Sequence, residues 1–320
     1  MPHHRRPYRK AALKGGTPLQ DWMSLALSNR HPRDNEIVFD EPTHVYTVKG
    51  NSRGWISVTK LLHAFFPEFN PDQVIESMMK SPNWPQSKYY GMTPAAIKAQ
   101  WNANGREASG AGTDIHLGIE MVMNGALDRV EPRIRASPEW AYFESYWKQD
   151  SQVWEPWRTE WEVWDEDLKL AGSIDMVYRN KADGTFAVYD WKRAKDMKMN
   201  NDYETGLGPC EVLPNCNYSK YSLQLNVYRW MLQRHYGLVI NSLCLVVLHP
   251  SNESFRCYPV PILDDLTEKV IQCRRQALAE GRGHYVSFPG MIEHHTQLQP
   301  QQPAPPISQK SAVYMFQDDS

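Results

Sequence analysis

The pattern of apolar and polar positions predicts a β-hairpin near the start of the chain. Residues 36–49, EIVFDEPTHVYTVK, alternate between apolar and polar side chains in the manner of two short strands. The turn GNSRG then leads to Ser57, whose hydroxyl is suited to cap a helix that begins VTKLLHAFF. We therefore expect a small hairpin-and-helix unit ahead of the larger pattern.

A helical pattern extends from about Thr93 to Gly125. Gly110 and Gly112 weaken it near its centre, because glycine loses more conformational freedom in a helix than any other residue. We therefore expect two helical pieces. In the second piece, TDIHLGIEMVM, His116 and Glu120 are four residues apart and share one helix face.

Three strand-like runs come next, at about 157–165, 168–179 and 185–192. They follow a helix that begins SPEWAYFESYWKQ, in which a serine cap, a proline and an acidic residue mark the first turn. Charged and Asp-Gly turns connect the runs. The pattern predicts an antiparallel meander of three strands.

The remaining pattern predicts a helix at about 218–236, an apolar strand at 242–249, a strand near 255–260 and a helix at about 264–280. The order is therefore helix, three antiparallel strands, helix, strand and helix. This order indicates an α+β fold with one mixed sheet.

Composition narrows the class of protein only slightly. Hydrophobic residues make up 41% of the 320 residues, enough for a sizeable core, and the net charge of −2 argues neither for nor against a nucleic-acid partner. The five widely spaced cysteines contain no CxxC pair, which favours a reduced intracellular protein, whether nuclear, cytoplasmic or mitochondrial. No run approaches the roughly 18 uncharged apolar residues of a membrane span, so we expect no membrane partner.

We expect three regions along the chain: a basic flexible arm at 1–35, a single folded domain at 36–290 and a disordered tail at 291–320. The first twenty residues are basic and contain no acid, which fits a plain basic tail, a targeting signal or a phosphate-binding arm. The tail is rich in Gln and Pro. Its end, SAVYMFQDDS, is a candidate docking segment for a protein partner, with chance composition as the alternative.

The candidate chemistry lies in the hairpin AGSIDMVYRNKADGTFAVYDWKRAK. With its loop at Lys181–Gly184, Asp175 pairs with Asp190 across the two strands, on one face of the sheet. Lys192 points to the same face, and Trp191 points to the other. Three charged groups are therefore expected to converge among apolar neighbours.

Adjacent carboxylates repel one another unless a cation lies between them. Hard oxygen ligands with an incomplete protein shell suit Mg²⁺ or Mn²⁺, and a lysine beside a phosphate would assist the attack of an activated water on a phosphodiester. The alternative is a surface hairpin with a salt bridge, because a D-x-K triplet occurs by chance roughly once in a chain of this size.

Further motifs accompany the triplet. The pattern G-x-x-D, then about fifteen residues, then D-x-K, resembles the PD-(D/E)XK nuclease superfamily. GTDIH resembles the helix histidine of the RecB-type branch, RTEWEV its first core strand, and LQLNVYRW the Q-x-x-x-Y helix that follows the active site. The sequences YDWK and SVT, the latter at Ser57, resemble the mitochondrial genome-maintenance exonuclease type in particular. The five motifs span about 55–235.

The resemblance implies a restriction-endonuclease-like core, a mixed central sheet flanked by helices. It also implies a DNA exonuclease that acts on ends or single strands with one or two Mg²⁺ or Mn²⁺ ions. The residues that it implies are the metal ligands His116, Asp175, Asp190 and the backbone carbonyl of Trp191, the catalytic residues Lys192, Asp175, Asp190 and Glu160, and the supporting residues Ser173, Gln224 and Tyr228. If the turn between the first two strands centres near Glu166, Glu160 lies near Ser173 and faces the same side as Asp175. A one-residue slip would point it away.

Two basic residues directly after the catalytic strand, Arg193 and Lys195, are candidate phosphate contacts, with a solvated loop as the alternative. Every cysteine lies after residue 209, without the spacing that an iron–sulfur cluster of the RecB type requires, so we expect no cluster.

Two alternative functions remain open at this point. One is an RNA endonuclease of the same superfamily, such as the cap-snatching type, which also combines a helix histidine with acids and a lysine. The other is a catalytically inert scaffold that binds nucleic acid. A scaffold is expected to have a broken active-site set, and none of the central residues is missing here.

Overall fold

The computed structural model describes residues 20–282, together with Val286 and Phe288. The predicted tail at 291–320 lies outside the described residues, as do residues 1–19. The helices of the described part are α1 (Ser24–Ser28), α2 (Val58–His63), α3 (Pro71–Lys80), α4 (Pro94–Met123), α5 (Pro132–Arg135), α6 (Pro138–Asp150), α7 (Asn217–His235) and α8 (Asp264–Ala279). The strands are β1 (Ile37–Asp40), β2 (Val45–Val48), β3 (Ile56–Ser57), β4 (Trp154–Asp165), β5 (Leu170–Asn180), β6 (Phe186–Lys192), β7 (Ile240–Val247) and β8 (Arg256–Pro259).

The small unit predicted at the start of the domain is confirmed. Strands β1 and β2 form an antiparallel hairpin in which Ile37 lies opposite Val48. Ser57 caps α2, because its hydroxyl accepts a hydrogen bond from the Lys60 N–H at 3.0 Å.

The remaining strands form one six-stranded mixed sheet with the order β3-β5-β6-β7-β8, and β4 pairs with β5. The meander β4-β5-β6 is antiparallel, as the turns predict. The pairs β3-β5 and β6-β7 are parallel, and β7-β8 is antiparallel. The predicted α+β class with a mixed sheet is confirmed.

Helices cover both faces of this sheet. On one face α2, α7 and α8 pack against a layer of side chains that includes Val188. On the other face α4, α5 and α6 pack against a layer that includes Tyr189 and Trp191. Because successive residues of a strand point to opposite faces, Lys192 points to the α7 side, where it contacts Tyr221.

A gap opens along one edge of β5. The β5-β6 ladder reaches the pair Met176–Tyr189 in the predicted register, but it stops there, so the predicted pair Asp175–Asp190 is not formed. At the other end of β5, Leu170–Ala171 pair with β3. Strand β4 occupies the opposite edge of β5, so β3 and β6 share a single edge. Residues Gly172–Asp175 therefore lie between two ladders, at the point where β5 and β6 diverge.

Both strands of the β4-β5 pair are irregular beside this gap. Glu160 and Asp175 lie opposite each other but outside the paired positions of the ladder. The φ angle of Glu160 is 42°, a left-handed conformation that costs a non-glycine residue roughly 1–3 kcal/mol. Ile174 packs in the α7 layer and Met176 in the α4 layer, so the side-chain direction of β5 changes at Asp175.

Helix α4 continues without a break over 30 residues, so the predicted division at Gly110 and Gly112 is wrong. Tertiary packing explains the difference. A Cβ atom at Gly118 would lie 3.0 Å from Ile134 and 3.1 Å from Trp140, so the missing side chain lets α4 approach α5 and α6 closely. Gly112 is also buried in α4, whereas an added Cβ at Gly110 would meet open space, so the helix continues through Gly110 because the residues on both sides of it are packed.

Residues 20–35 belong to the folded domain, although the sequence pattern places them in a flexible arm. Asp34 accepts hydrogen bonds from the Arg158 guanidinium at 2.7 Å and from the Trp161 indole at 2.8 Å. Both partners lie on β4, more than 120 positions along the chain. A contact between residues this distant in sequence leaves no local pattern, which is why the sequence places residues 20–35 outside the domain.

Arg274 connects α8 to the β4-β5 turn and to the segment before β3. Its side chain is fully buried, and it donates hydrogen bonds to the carbonyl groups of Leu168 at 2.9 Å and Gly54 at 3.1 Å. Burial lowers the pKa of Arg274 to about 10. Arg274→Met leaves both carbonyls without this donor, so we expect the free energy of unfolding, measured by urea denaturation, to fall by about 2–4 kcal/mol.

The matched control is Arg275→Met on the same helix. The Arg275 side chain is 36% exposed and pairs with Glu268 at 2.7 Å. Exposed ion pairs contribute roughly 0.2–1 kcal/mol, so we expect little change. Equal destabilisation by the two variants would show that buried hydrogen bonding is not what Arg274 contributes.

Candidate active site

His116 enters the site from helix α4. Its Nε2 lies 2.9 Å from the backbone carbonyl oxygen of Trp191, and because a carbonyl oxygen only accepts, Nε2 is the donor. Its Nδ1 then faces the carboxylates of Asp175 at 3.5 Å and Glu160 at 3.8 Å. This Nδ1 is buried and has no hydrogen-bond partner among the described residues.

Glu160 reaches the same place from β4. Its side chain is 7% exposed, and its carboxylate accepts a hydrogen bond from the Ser173 hydroxyl at 3.2 Å. The left-handed backbone at Glu160 coincides with the position where the β4-β5 ladder is interrupted. Glu160 and Ser173 therefore meet, but in a register that differs from the prediction. Glu162 lies opposite Ser173, so the turn centres between Asp167 and Leu168 and not near Glu166.

Asp175 is held by the backbone of the neighbouring strand. Its carboxylate accepts a hydrogen bond from the Trp191 N–H at 3.1 Å. The two strands have diverged here, so the Asp175 side chain serves as the acceptor for this N–H. The peptide units on either side of the Trp191 Cα thus contact both Asp175, through the N–H, and His116, through the carbonyl oxygen.

One ligand atom from each of His116, Glu160 and Asp175 lies within 4.8 Å of the other two. An imidazole nitrogen and two carboxylates that face one another in a buried position fit a divalent cation such as Mg²⁺ or Mn²⁺. The unpartnered Nδ1 of His116 supports this fit, because buried polar atoms are rarely left without a partner. Glu160 thus lies in the group of candidate metal ligands.

Asp190 and Lys192 form a buried ion pair next to this group. Lys192 Nζ lies 2.5 Å from Asp190 Oδ2, and the two side chains are 9% and 5% exposed. Burial raises the pKa of Asp190 to about 6; Lys192 opposes this rise, whereas Asp175 adds to it. The Lys192 ammonium also lies 4.4 Å from the centre of the Tyr221 ring. Asp190, which the resemblance implies as a metal ligand, contacts Lys192 here and lies outside the group of His116, Glu160 and Asp175, so its role as a ligand stays a prediction.

Helix α7 supports the site from the other face. Gln224 donates a hydrogen bond to the Tyr228 hydroxyl at 3.4 Å, and burial raises the pKa of Tyr228. The Tyr228 ring packs directly on Gly172, where an added Cβ would lie 2.6 Å from its Cε1. The first residue of the G-x-x-D pattern is therefore a glycine because the tyrosine occupies the space of a side chain.

Of three other predicted residues, Trp191 and Arg193 differ from expectation and Lys195 does not. The Trp191 carbonyl oxygen accepts a hydrogen bond from His116, so it orients the histidine in this structure rather than facing the carboxylates. Arg193 is 13% exposed and donates to Glu139 at 2.7 Å, so its charge is already matched by an acid. Lys195 is exposed, as a phosphate contact would require.

A sequence profile described as the PD-(D/E)XK nuclease superfamily matches residues 57–267, about two thirds of the chain. The chain belongs to this superfamily. PD-(D/E)XK nucleases hydrolyse phosphodiester bonds with divalent metals, and nucleic acid is their substrate. The matched range contains His116, Glu160 and Asp175, which we call the metal group, together with the Asp190–Lys192 pair and the Gln224–Tyr228 pair. The RecB-type branch and the mitochondrial exonuclease type stay predictions for this PD-(D/E)XK protein.

Other comparisons add little to this assignment. One solved structure, titled "Crystal structure of SSO0001", is 15% identical over 72% of this chain and 78% of its own, with a TM-score of 0.32. No curated protein sequence matches significantly. Within the described part of the chain, the helices lack the combination of length and apolar character that crossing a membrane requires.

Sequence reasoning missed two features of this PD-(D/E)XK site. Tyr221, which contacts Lys192, is three residues before Gln224, so the spacing on one helix face could have revealed it. The hydrogen bonds made by the backbone of Trp191 cannot be read from the sequence, because the backbone N–H and carbonyl groups do not depend on residue type. Only the divergence of the strands makes these groups available to side chains.

Asp175→Asn tests the metal group directly. The substitution keeps the shape of the side chain and removes one negative charge, so we expect Mn²⁺ affinity to fall by at least about 10-fold, which corresponds to roughly 1.4 kcal/mol. Isothermal titration calorimetry with Mn²⁺ measures the affinity without reference to activity. Asp167→Asn makes the same change of charge in the exposed turn after β4 and should bind Mn²⁺ as the wild type does. Similar affinities for all three proteins would remove the metal assignment.

Gly172→Ala tests the contact with Tyr228. A Cβ at Gly172 would overlap a buried ring that is held by Gln224, so we expect a loss of about 1–3 kcal/mol in the free energy of unfolding. Gly110→Ala in α4 meets open space, and it should stabilise the protein by up to about 1 kcal/mol. Thermal unfolding compares the two, and a neutral Gly172→Ala would show that the ring can move aside.

Proposed function

We propose that this protein is a Mg²⁺- or Mn²⁺-dependent DNA nuclease that acts as an exonuclease on DNA ends or single strands. One observation carries the proposal: His116, Glu160 and Asp175 converge beside a buried Asp190–Lys192 pair, in a chain that belongs to the PD-(D/E)XK superfamily. Metal ligands and an ammonium in contact with a carboxylate are the components that hydrolysis of a phosphodiester requires.

The residues that would hold the ion are His116, Glu160 and Asp175, with Asp190 nearby. When bound, the ion supplies Lewis acidity, which polarises the phosphate and lowers the pKa of water. Ser173 orients Glu160 through its hydroxyl, and Trp191 orients both His116 and Asp175. These contacts limit the movement of the ligands before substrate arrives.

Lys192 is the group that acts on the reacting atoms. Asp190 fixes its ammonium from one side, and the Tyr221 ring lies against it from another. A lysine held in this way donates a hydrogen bond to the attacking water or to a phosphate oxygen, and its charge offsets the negative charge that develops on the phosphate. The reaction breaks one P–O bond and leaves a hydroxyl and a phosphate at the new ends.

Support for DNA and for exonuclease action comes from the motifs around the site. The order of GTDIH, GSID, YDWK and Q-x-x-x-Y resembles the RecB-type branch and its mitochondrial genome-maintenance exonucleases. His116, Gln224 and Tyr228, the residues that distinguish this branch in the sequence, lie in contact with the site or with each other. Lys195 is exposed directly after the catalytic strand, as contact with a phosphate requires.

Lys192→Ala tests the catalytic assignment. We expect the cleavage rate of end-labelled linear single-stranded DNA with Mg²⁺ to fall by at least about 100-fold, because the variant lacks the ammonium that offsets the charge developing on the phosphate. Mn²⁺ binding, measured by calorimetry, should persist. The control is Lys181→Ala, at the far end of the same hairpin, which should cleave at the wild-type rate. Undiminished cleavage by Lys192→Ala would contradict the mechanism.

The choice of substrate separates the remaining alternatives. Linear single-stranded DNA should be shortened from its ends, whereas circular single-stranded DNA, which has no ends, should persist. Cleavage of the circle would indicate an endonuclease. Preferential cleavage of single-stranded RNA would favour the cap-snatching type, and a wild-type protein that cleaves none of these substrates with either metal would favour a scaffold.

A further inference from the structure

A pocket opens next to the active site, between α2, the segment that leads into α3, and the start of α7. Its cavity volume is about 320 Å³. We call it the side pocket, and the residues used below to describe it are Phe66, Phe69, Lys198, Lys220, Tyr221 and Gln224. Volumes of roughly 300–1,000 Å³ are typical of sites for small molecules. The side pocket is therefore large enough for one flat ring system and too small for a folded partner.

The side pocket and the active site share a wall on α7. Tyr221 lines the pocket, and its ring lies 4.4 Å from the Lys192 ammonium. Gln224 also lines the pocket and donates to Tyr228, which packs on Gly172 in the gap of the sheet. A group in the pocket is thus separated from the catalytic lysine by a single aromatic side chain.

The chemistry of the lining favours a base over a phosphate. Aromatic surface comes from Phe69, which is half-buried. Phe66 lies beneath the pocket in the core at 3% exposure, with the Lys220 ammonium 5.4 Å from the centre of its ring.

The side-chain amides in the lining differ in their hydrogen bonds. Those of Asn201 and Asn217 already bond within the protein through both nitrogen and oxygen. The amide of Gln73 and the buried Oδ1 of Asn215, which has no hydrogen-bond partner among the described residues, can bond the edge of a base.

The charges of the pocket are mixed. Lys198 and Lys220 line it together with the acids Glu68 and Glu204. A site for successive phosphates would be basic throughout, because each phosphate carries a negative charge. Aromatic rings, amides and balanced charge suit instead a flat, uncharged group with hydrogen-bonding edges, as a nucleobase is.

We propose that the side pocket binds one unpaired base of the strand that is being cleaved, next to the scissile phosphate. This inference rests on the proposed function, because the base belongs to the nuclease substrate. A base can enter only after it has left the helical stack. The pocket thereby makes an unpaired base a requirement for productive binding, and it selects single strands and frayed ends over intact duplex.

The test measures binding without cleavage. Lys192→Ala protein is titrated with fluorescein-labelled single-stranded DNA in which a single abasic site is moved one position at a time. Stacking on an aromatic side chain is strong enough that loss of one base should weaken binding about 10-fold at one or two positions, and little elsewhere. A uniform response along the strand would overturn the proposal.

Two further variants in the same background tie the effect to the pocket. Phe69→Ala removes an aromatic wall, and Gln73→Trp fills the cavity from an exposed position on α3. In both, the difference between intact and abasic strands should disappear. The matched control is Tyr90→Ala, an aromatic residue that is 60% exposed and lies outside the pocket lining, which should keep the difference. A difference that survives in both pocket variants would show that the base binds elsewhere.

Failure of this inference and failure of the proposed function give different results. If the wild type cleaves linear single-stranded DNA but the abasic scan is flat, the pocket has no role in base binding and the nuclease assignment stands. If binding depends on one base position and on Phe69, yet the wild type cleaves no nucleic acid, the pocket stands and the nuclease activity does not.

Discussion

The backbone of Trp191 is the point on which the site depends. Its N–H donates to Asp175 and its carbonyl oxygen accepts from His116, so a single residue of β6 positions one side chain from β5 and another from α4. These backbone groups are available because β5 and β6 stop pairing after Met176 and Tyr189. Buried backbone groups need partners, so the divergence of the strands and the position of the metal group are two consequences of the same constraint.

Three acidic side chains of the site are buried close together. Asp175, Asp190 and Glu160 are acids with little exposed surface, and carboxylates in such a position destabilise one another. Lys192 relieves part of this repulsion by pairing with Asp190, and a divalent ion would relieve the part that involves Glu160 and Asp175. In this structure the lysine thus contacts Asp190, and the carboxylates of the candidate metal ligands are those of Glu160 and Asp175.

Helix α7 contacts both the candidate active site and the side pocket. Three of its residues, each separated by three or four positions, lie on one face: Tyr221 contacts Lys192, Gln224 bonds Tyr228, and Tyr228 packs on Gly172. Two of them also form part of the side pocket. A shift of this helix would alter the lysine, the gap in the sheet and the pocket together, because the same side chains form all three.

The sequence by itself determined the α+β class, the hairpin register and the identity of the central residues, because alternation along a strand and helical spacing are local properties that side chains display directly. It also brought Gln224 and Tyr228 to one helix face. Only the tertiary structure decided which residues face one another across elements: Glu160 joins His116 and Asp175, Arg193 pairs with Glu139, and Asp34 draws residues 20–35 into the fold. These pairings join residues that are distant in the chain and depend on strand divergence and helix packing, which no local pattern encodes.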